Sequence, residues 1–196
     1  MTEVRTPPRR SRRSGPASIG DIRRGDRVRV RSAAAIAATL DDHGDTDGLP
    51  FMPEMLPMCG QTFTVQARVS KTCDTINSIG CTRQMSETTH LVSARCDGSA
   101  HGGCQAGCLL FFKDAWLEPA TEPAAAPDPA PAHLAFKLEE NSRVEPETYR
   151  CQATQLLDAS EFIHGYGHYL QDVRSRTTTP KQLLQALPYI LINKYQ

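Results

Sequence analysis

The sequence predicts a mainly β fold: a small barrel carrying one inserted short helix and a cysteine-rich metal loop, followed by a Pro-rich linker and two C-terminal helices. Three observations carry this expectation. Short stretches alternate polar and apolar residues with period two, the pattern of half-buried strands. Turn-forming residues separate them, which favours a small barrel over a helical bundle. Three thiols and one imidazole crowd among glycines in residues 96–108.

The first strand is expected at residues 27–31, where Val28 and Val30 alternate with arginines after the turn-forming Gly25 and Asp26. Ser32 stands at an N-cap position before an alanine-rich stretch, so a short helix is expected over 33–40, stopped by Asp41, Asp42 and Gly44. Leu49 and Met52 each precede a proline and therefore avoid the helical region. Further strands are expected at 62–69, 90–94 and 109–112. Pro119, Pro123, Pro127, Pro129 and Pro131 mark a semi-extended linker. Beyond it, helical spacing of apolar residues predicts helices over 147–159 and 181–195, with Pro188 kinking the second or ending its first half. The organisation is a basic, disordered tail at 1–18, a metal-binding domain at 19–117, a linker at 118–146 and a helical segment at 147–196.

The chemistry is concentrated in Cys96, His101, Cys104 and Cys108. Thiolates are soft ligands suited to zinc, copper(I) and iron–sulfur clusters, and the neighbouring glycines let backbone amides approach cluster sulfurs. Cys73 is expected to supply a fourth thiolate from elsewhere in the fold, giving Cys73, Cys96, Cys104 and Cys108, with His101 as a further ligand. Only Cys104 and Cys108 have the spacing of a zinc knuckle. An iron–sulfur cluster is therefore the leading cofactor and zinc the alternative. Cys59 reads equally as a buried cysteine or as a ligand or reactive thiol, whereas Cys81 and Cys151 read as non-ligands. His90 is expected to be packed, and His164 and His168 to be surface residues because Gly165 and Gly167 oppose a helix between them. Asp74 and Asp97 read as turn or hydrogen-bonding residues. Residues 49–58, with three methionines and a phenylalanine among prolines, read as core packing beneath a loop.

Three resemblances add to this. Cys96-Asp97-Gly98-Ser99-Ala100-His101 resembles the ligand-bearing end of the CDGSH iron–sulfur motif, with Ala100 inserted before the histidine. That resemblance implies thiolate and imidazole ligation of a two-iron cluster. Gly48-Leu49-Pro50-Phe51-Met52-Pro53-Glu54-Met55, Lys71-Thr72-Cys73-Asp74 and the run from Arg95 through Cys108 resemble a family of bacterial proteins without an assigned function, often encoded beside biosynthetic enzymes. It implies accessory work in biosynthesis. Gly25-Asp26-Arg27-Val28-Arg29-Val30 is similar to the first strand of SH3-like barrels, including KOW modules and the nitrile hydratase β-subunit, and implies an SH3-like domain.

The chain has 196 residues, zero formal net charge and seven cysteines. No apolar run reaches the roughly 18 residues that a membrane span needs, and no apolar segment follows the early arginines as a secretory signal requires. A cytoplasmic location is expected, where clustered cysteines point to metal rather than disulfides. The functional expectation is a metal- or iron–sulfur-binding accessory or redox protein whose partner is a biosynthetic enzyme or a redox protein. The alternative is a zinc-stabilised SH3-like interaction module that binds protein or nucleic acid and has no catalytic role. Binding of nucleic acid by the N-terminal arginines is the least favoured reading. No phosphate loop, dinucleotide fingerprint or Ser/His/Asp ordering points to another enzyme class.

Overall fold

The computed structural model describes residues 22–69, 71–74, 80–120 and 131–192. The predicted basic tail at 1–18 and the centre of the linker lie outside these residues.

In chain order the elements begin with β1 (Arg27–Val30), α1 (Ala33–Ala37), β2 (Asp45–Thr46), β3 (Leu49–Pro50) and a 3-10 turn over Pro53–Met58. They continue through β4 (Thr62–Arg68), β5 (Thr72–Asp74), β6 (Gly80–Gln84), β7 (Thr88–Arg95), β8 (Leu109–Lys113), a second 3-10 turn over Asp114–Trp116 and β9 (Leu117–Pro119). The C-terminal part holds α2 (Ala132–Ser142), β10 (Arg143–Glu145), β11 (Thr148–Tyr149), β12 (Glu161–Phe162), α3 (Gly167–Arg174) and α4 (Pro180–Ile192).

Five strands form the main antiparallel sheet in the order β8-β7-β4-β1-β9, curled into a half-barrel. The curl follows from connectivity. A flat sheet of this order would hold its edge strands about 19 Å apart, since neighbouring strands lie about 4.8 Å from one another. The chain nevertheless passes from β8 on one edge to β9 on the other through a single 3-10 turn, which rises only about 2 Å per residue. The edges must therefore come close.

Val28, Val30, Val65, Leu91, Ala94, Leu110 and Phe112 point into the core. Trp116, on the turn that joins the edges, packs edge-on against Phe51 at 5.2 Å and donates its indole N–H to the hydroxyls of Thr39 and Thr46. The predicted short helix forms, with the Ser32 hydroxyl accepting from the Ala35 amide at 3.2 Å. Phe51, Met52 and Met55 are buried, so the methionine-rich run is core.

Strand β7 is longer than expected and irregular. Between the pairs His90↔Phe111 and Arg95↔Leu109 it carries three more residues than β8, and Ser93 lies at φ 64°. The bulge shifts the buried positions from Leu91 to Ala94.

The C-terminal half departs from the sequence reading. Glu118 and Pro119, expected to open the linker, pair with Arg29 and Val28 inside the main sheet. Residues 132–142, also assigned to the linker, form α2, because Leu134, Leu138 and Ser142 recur one helical turn apart and are buried. Over 147–159 the expected helix is replaced by β11 and a series of turns in which only isolated helical bonds form, such as Gln155 N–H to the Cys151 carbonyl at 3.0 Å. Tertiary contacts override propensity there. Arg150 forms a two-pronged ion pair with buried Asp45. The buried Gln152 amide accepts from Phe111 N–H at 2.8 Å and donates to the carbonyls of Phe111 at 2.9 Å and Pro50 at 3.1 Å. It thereby occupies the open edge of β8 as a neighbouring strand would. The last predicted helix is α4, which continues through Pro188. Helix α3 was not expected from the sequence, and its first residue is Gly167.

Candidate metal centre

The loop between β7 and β8 is closed at its base by two bonds. The Cys96 amide donates to the Cys108 carbonyl at 2.9 Å, and the Arg95 guanidinium donates to the Gly107 carbonyl at 2.7 Å. Gly98 turns the chain at φ 73°, and its carbonyl accepts from both His101 and Gly103. A Cβ at Gly98 would overlap the Cys104 carbonyl and lie 2.6 Å from the Cys104 amide nitrogen, so only glycine lets the loop fold back on itself. Asp97 accepts from the Ser99 amide at 3.0 Å and serves as a turn residue.

This folding turns His101 inward, where it meets Glu54 from the first 3-10 turn. Pro53 and Pro57 limit that turn's backbone bonding, while Met52 and Met55 anchor it in the core and leave Glu54 6 % exposed. One Glu54 oxygen, Oε1, lies 2.6 Å from His101 Nδ1 and 3.0 Å from the Ala100 amide nitrogen. With Nδ1 donating to that oxygen, Nε2 is the ring nitrogen that faces Cys96 Sγ, 3.7 Å away. The second oxygen, Oε2, is buried and has no hydrogen-bond partner among the described residues. One donor atom from each of Glu54, Cys96 and His101 lies within 4.8 Å of the other two.

Charge and burial decide the state of the thiol. Burial pushes Cys96 up to about 11, and the negative charges of Glu54, Cys108 and Asp97 add to the rise, against a hydrogen bond from the Gly98 backbone. A divalent cation would reverse that balance, because the same negative groups would then stabilise a bound ion and the ligand would be a thiolate. The unpartnered Oε2 is also satisfied if a cation sits beside it. The donor set therefore fits a metal.

Of the five ligands expected from sequence, the cluster contains Cys96 and His101. Cys104 and Cys108 are exposed on the same loop, and Cys73 is exposed on β5 in the separate sheet β12-β6-β5. Cys59 is buried in the core and Cys151 packs against it. The Cys81 side chain lies outside the described residues. His90 bonds the Leu110 carbonyl and packs its ring at a tilt against Phe111, and burial lowers its pKa. His168 opens α3 while His164 precedes it, so the two share no helical face. Asp74 is buried beside Arg83 at 3.9 Å.

Glu54 was missed by the sequence reading. Its signal was a lone carboxylate in a run of methionines, prolines and phenylalanine that otherwise reads as core, since acids are almost never fully buried unless paired. Tyr149 was also missed. Its ring lies 6.4 Å from that of His101, and a Cβ at Gly102 would be 2.9 Å from it, so β11 covers the loop.

In comparisons with protein-family models, curated proteins and solved structures, the chain matches none.

Proposed function

We propose that this chain is a metalloprotein whose centre is a single divalent transition ion, zinc first, held by Cys96 and His101 with Glu54 beside them. One observation carries this reading: the buried Glu54 carboxylate fixes His101 through Nδ1 and aims Nε2 at Cys96 Sγ, while its other oxygen has no partner among the described residues. A carboxylate–histidine pair of this kind orients a metal ligand and raises its basicity. Mixed sulfur, nitrogen and oxygen donors suit zinc or a similar borderline ion, whereas iron–sulfur clusters are held mainly by thiolates. A catalytic thiol fits less well, because activated cysteines have lowered pKa values and that of Cys96 is raised.

The domain around the centre is read as an SH3-like barrel. The strand order β8-β7-β4-β1-β9, with a 3-10 turn between the edge strands, supports it. Residues 148–160 close over the barrel through Gln152, Leu156 and Ala159, which are buried. The ion's role is then to hold the 96–108 loop and the first 3-10 turn together in a fold that serves a biosynthetic enzyme as accessory partner, the role implied by the bacterial family resemblance. An iron–sulfur cluster is the second reading, favoured by Cys104 and Cys108 on the same loop. Among the described residues no helix is long and apolar enough to cross a membrane.

The test is metal and acid-labile sulfide analysis with a visible spectrum on protein purified without oxygen, beside Cys96→Ser and His101→Gln. Stoichiometric zinc, no colour and loss of metal in both variants are expected. Iron with sulfide, bleached by dithionite, would replace zinc by the cluster. Absence of metal from every preparation would end the metal reading.

A further inference from the structure

Cys108 is not needed to explain the Glu54–His101–Cys96 cluster, yet the fold places it directly against one member. The antiparallel ladder of β7 and β8 ends at Arg95↔Leu109. One step further in the same register, Cys96 faces Cys108, joined by the Cys96 amide and the Cys108 carbonyl at 2.9 Å. Directly opposed residues of an antiparallel pair project from the same face of the sheet. The Cα atoms of a hydrogen-bonded pair stand about 5.5 Å apart, inside the range of about 4.4–6.8 Å that a disulfide spans. The two thiols are also unequal in access: Cys108 is exposed, whereas Cys96 is half-buried against His101.

We propose that Cys96 and Cys108 form a hydroperoxide-reactive dithiol whose oxidation to a disulfide takes Cys96 away from the metal. The release of metal rests on the reading of the centre given above; the dithiol itself does not. Exposed Cys108 meets the peroxide first. Its sulfur attacks one peroxide oxygen, the O–O bond breaks, and Cys108 becomes a sulfenic acid while the other oxygen leaves as an alcohol, or as water when the oxidant is hydrogen peroxide. The Cys96 sulfur then attacks the Cys108 sulfur and expels hydroxide, which leaves as water with the proton of the metal-free Cys96 thiol, or with a proton from solvent where Cys96 starts as a metal-bound thiolate. Two thiols and one hydroperoxide thus become one disulfide, one alcohol and one water. The peroxide is the two-electron oxidant, and a small dithiol restores the pair.

Local geometry favours this exchange over oxidation elsewhere on the loop. Cys104, the other exposed thiol of the loop, lies on the segment that folds over Gly98, where the Gly98 backbone meets the Cys104 backbone. Cys108 is instead the residue whose backbone is bonded directly to that of Cys96. A cystine at this position would lock the base of the loop while removing the Cys96 sulfur that faces His101 Nε2.

The experiment uses the full chain loaded with zinc and treated with stoichiometric hydrogen peroxide, followed by disulfide mapping by mass spectrometry and a zinc-release indicator. A Cys96–Cys108 disulfide, loss of zinc in step with it, and reversal of both by dithiothreitol are expected, and Cys104→Ser should behave in the same way. Cys108→Ser should form no disulfide and should keep its zinc under the same peroxide exposure. A disulfide to Cys104, overoxidation of Cys108 without a link to Cys96, or zinc release from Cys108→Ser at the wild-type rate would each overturn the proposal. Formation of the disulfide in a protein that never binds zinc would uphold the dithiol and remove the metal reading. Zinc bound normally without the disulfide would do the reverse.

Discussion

Substituting Glu54 by glutamine separates the two things the carboxylate does. The amide oxygen retains the shape needed to accept from His101 Nδ1 and the Ala100 amide, now at 2.6 and 3.0 Å, while the negative charge at the unpartnered Oε2 disappears. Loss of a charge that orients a ligating histidine costs about 10–100-fold in metal affinity, or about 1.4–2.8 kcal/mol at 1.4 kcal/mol per tenfold. Without metal the sign reverses. The amide nitrogen that replaces Oε2 is still a buried polar group without a partner among the described residues, at a cost of about 1–3 kcal/mol, but the charged oxygen costs more, and that difference offsets what the weaker bond to His101 loses. Metal-free Glu54→Gln is therefore expected to melt no lower than the wild type, while its gain in melting temperature on adding zinc is smaller. Chelator competition for affinity and calorimetry with and without zinc measure the two effects. A variant that binds zinc as the wild type does, or that is destabilised equally in both states, would refute the assignment and leave Glu54 as an internal ion-pair residue of His101.

Gly98 and Gly103 have nearly the same backbone angle, 73° and 68°, but a Cβ at Gly103 meets nothing within 4 Å. Gly103→Ala should cost only the left-handed strain, about 1–2 kcal/mol, whereas Gly98→Ala should cost more and abolish zinc binding; equal effects in denaturant titrations would contradict the folded-back loop. Gln152→Ala leaves the Phe111 amide and the Phe111 and Pro50 carbonyls without their side-chain partner and should lower stability by about 3 kcal/mol, read from the denaturation midpoint. In metal-free protein, alkylation of Cys96 should accelerate up to pH about 11. Because the folded thiol holds its proton longer than an unfolded one, with a pKa of about 8.5, its contribution to stability is complete below that pH and is lost as pH rises toward the folded value. A midpoint at or below 9 would refute the charge environment drawn around Cys96.

The local code of this chain was legible where one segment sufficed. Alternation at Val28 and Val30 marked β1, Ser32 marked the start of α1, and the spacing of Leu183, Leu184 and Leu187 marked α4, because each signal depends on neighbours along the chain. The same holds for the chemistry of residues 96–108, whose thiols, imidazole and glycines stand out by crowding alone. A linker was read into 118–146 because its prolines dominated the composition, although Leu134 and Leu138 already carried a helical spacing. Over 147–159 the residues favour a helix in isolation, yet Arg150 and Gln152 are drawn to Asp45 and the edge of β8, and each of those partners is 41 or more residues away.

The centre shows the same division at higher stakes. Sequence alone placed Cys96 and His101 on one short loop as candidate ligands, since they lie five positions apart and Gly98 lets the chain turn between them. Only the tertiary structure decided that the loop's counter-charge is Glu54, 47 residues from His101, and that Cys96 faces Cys108 across a hairpin. A carboxylate that is costly to bury becomes a site only when another segment brings a donor to one oxygen and leaves the other bare, and no pattern within either segment encodes that meeting.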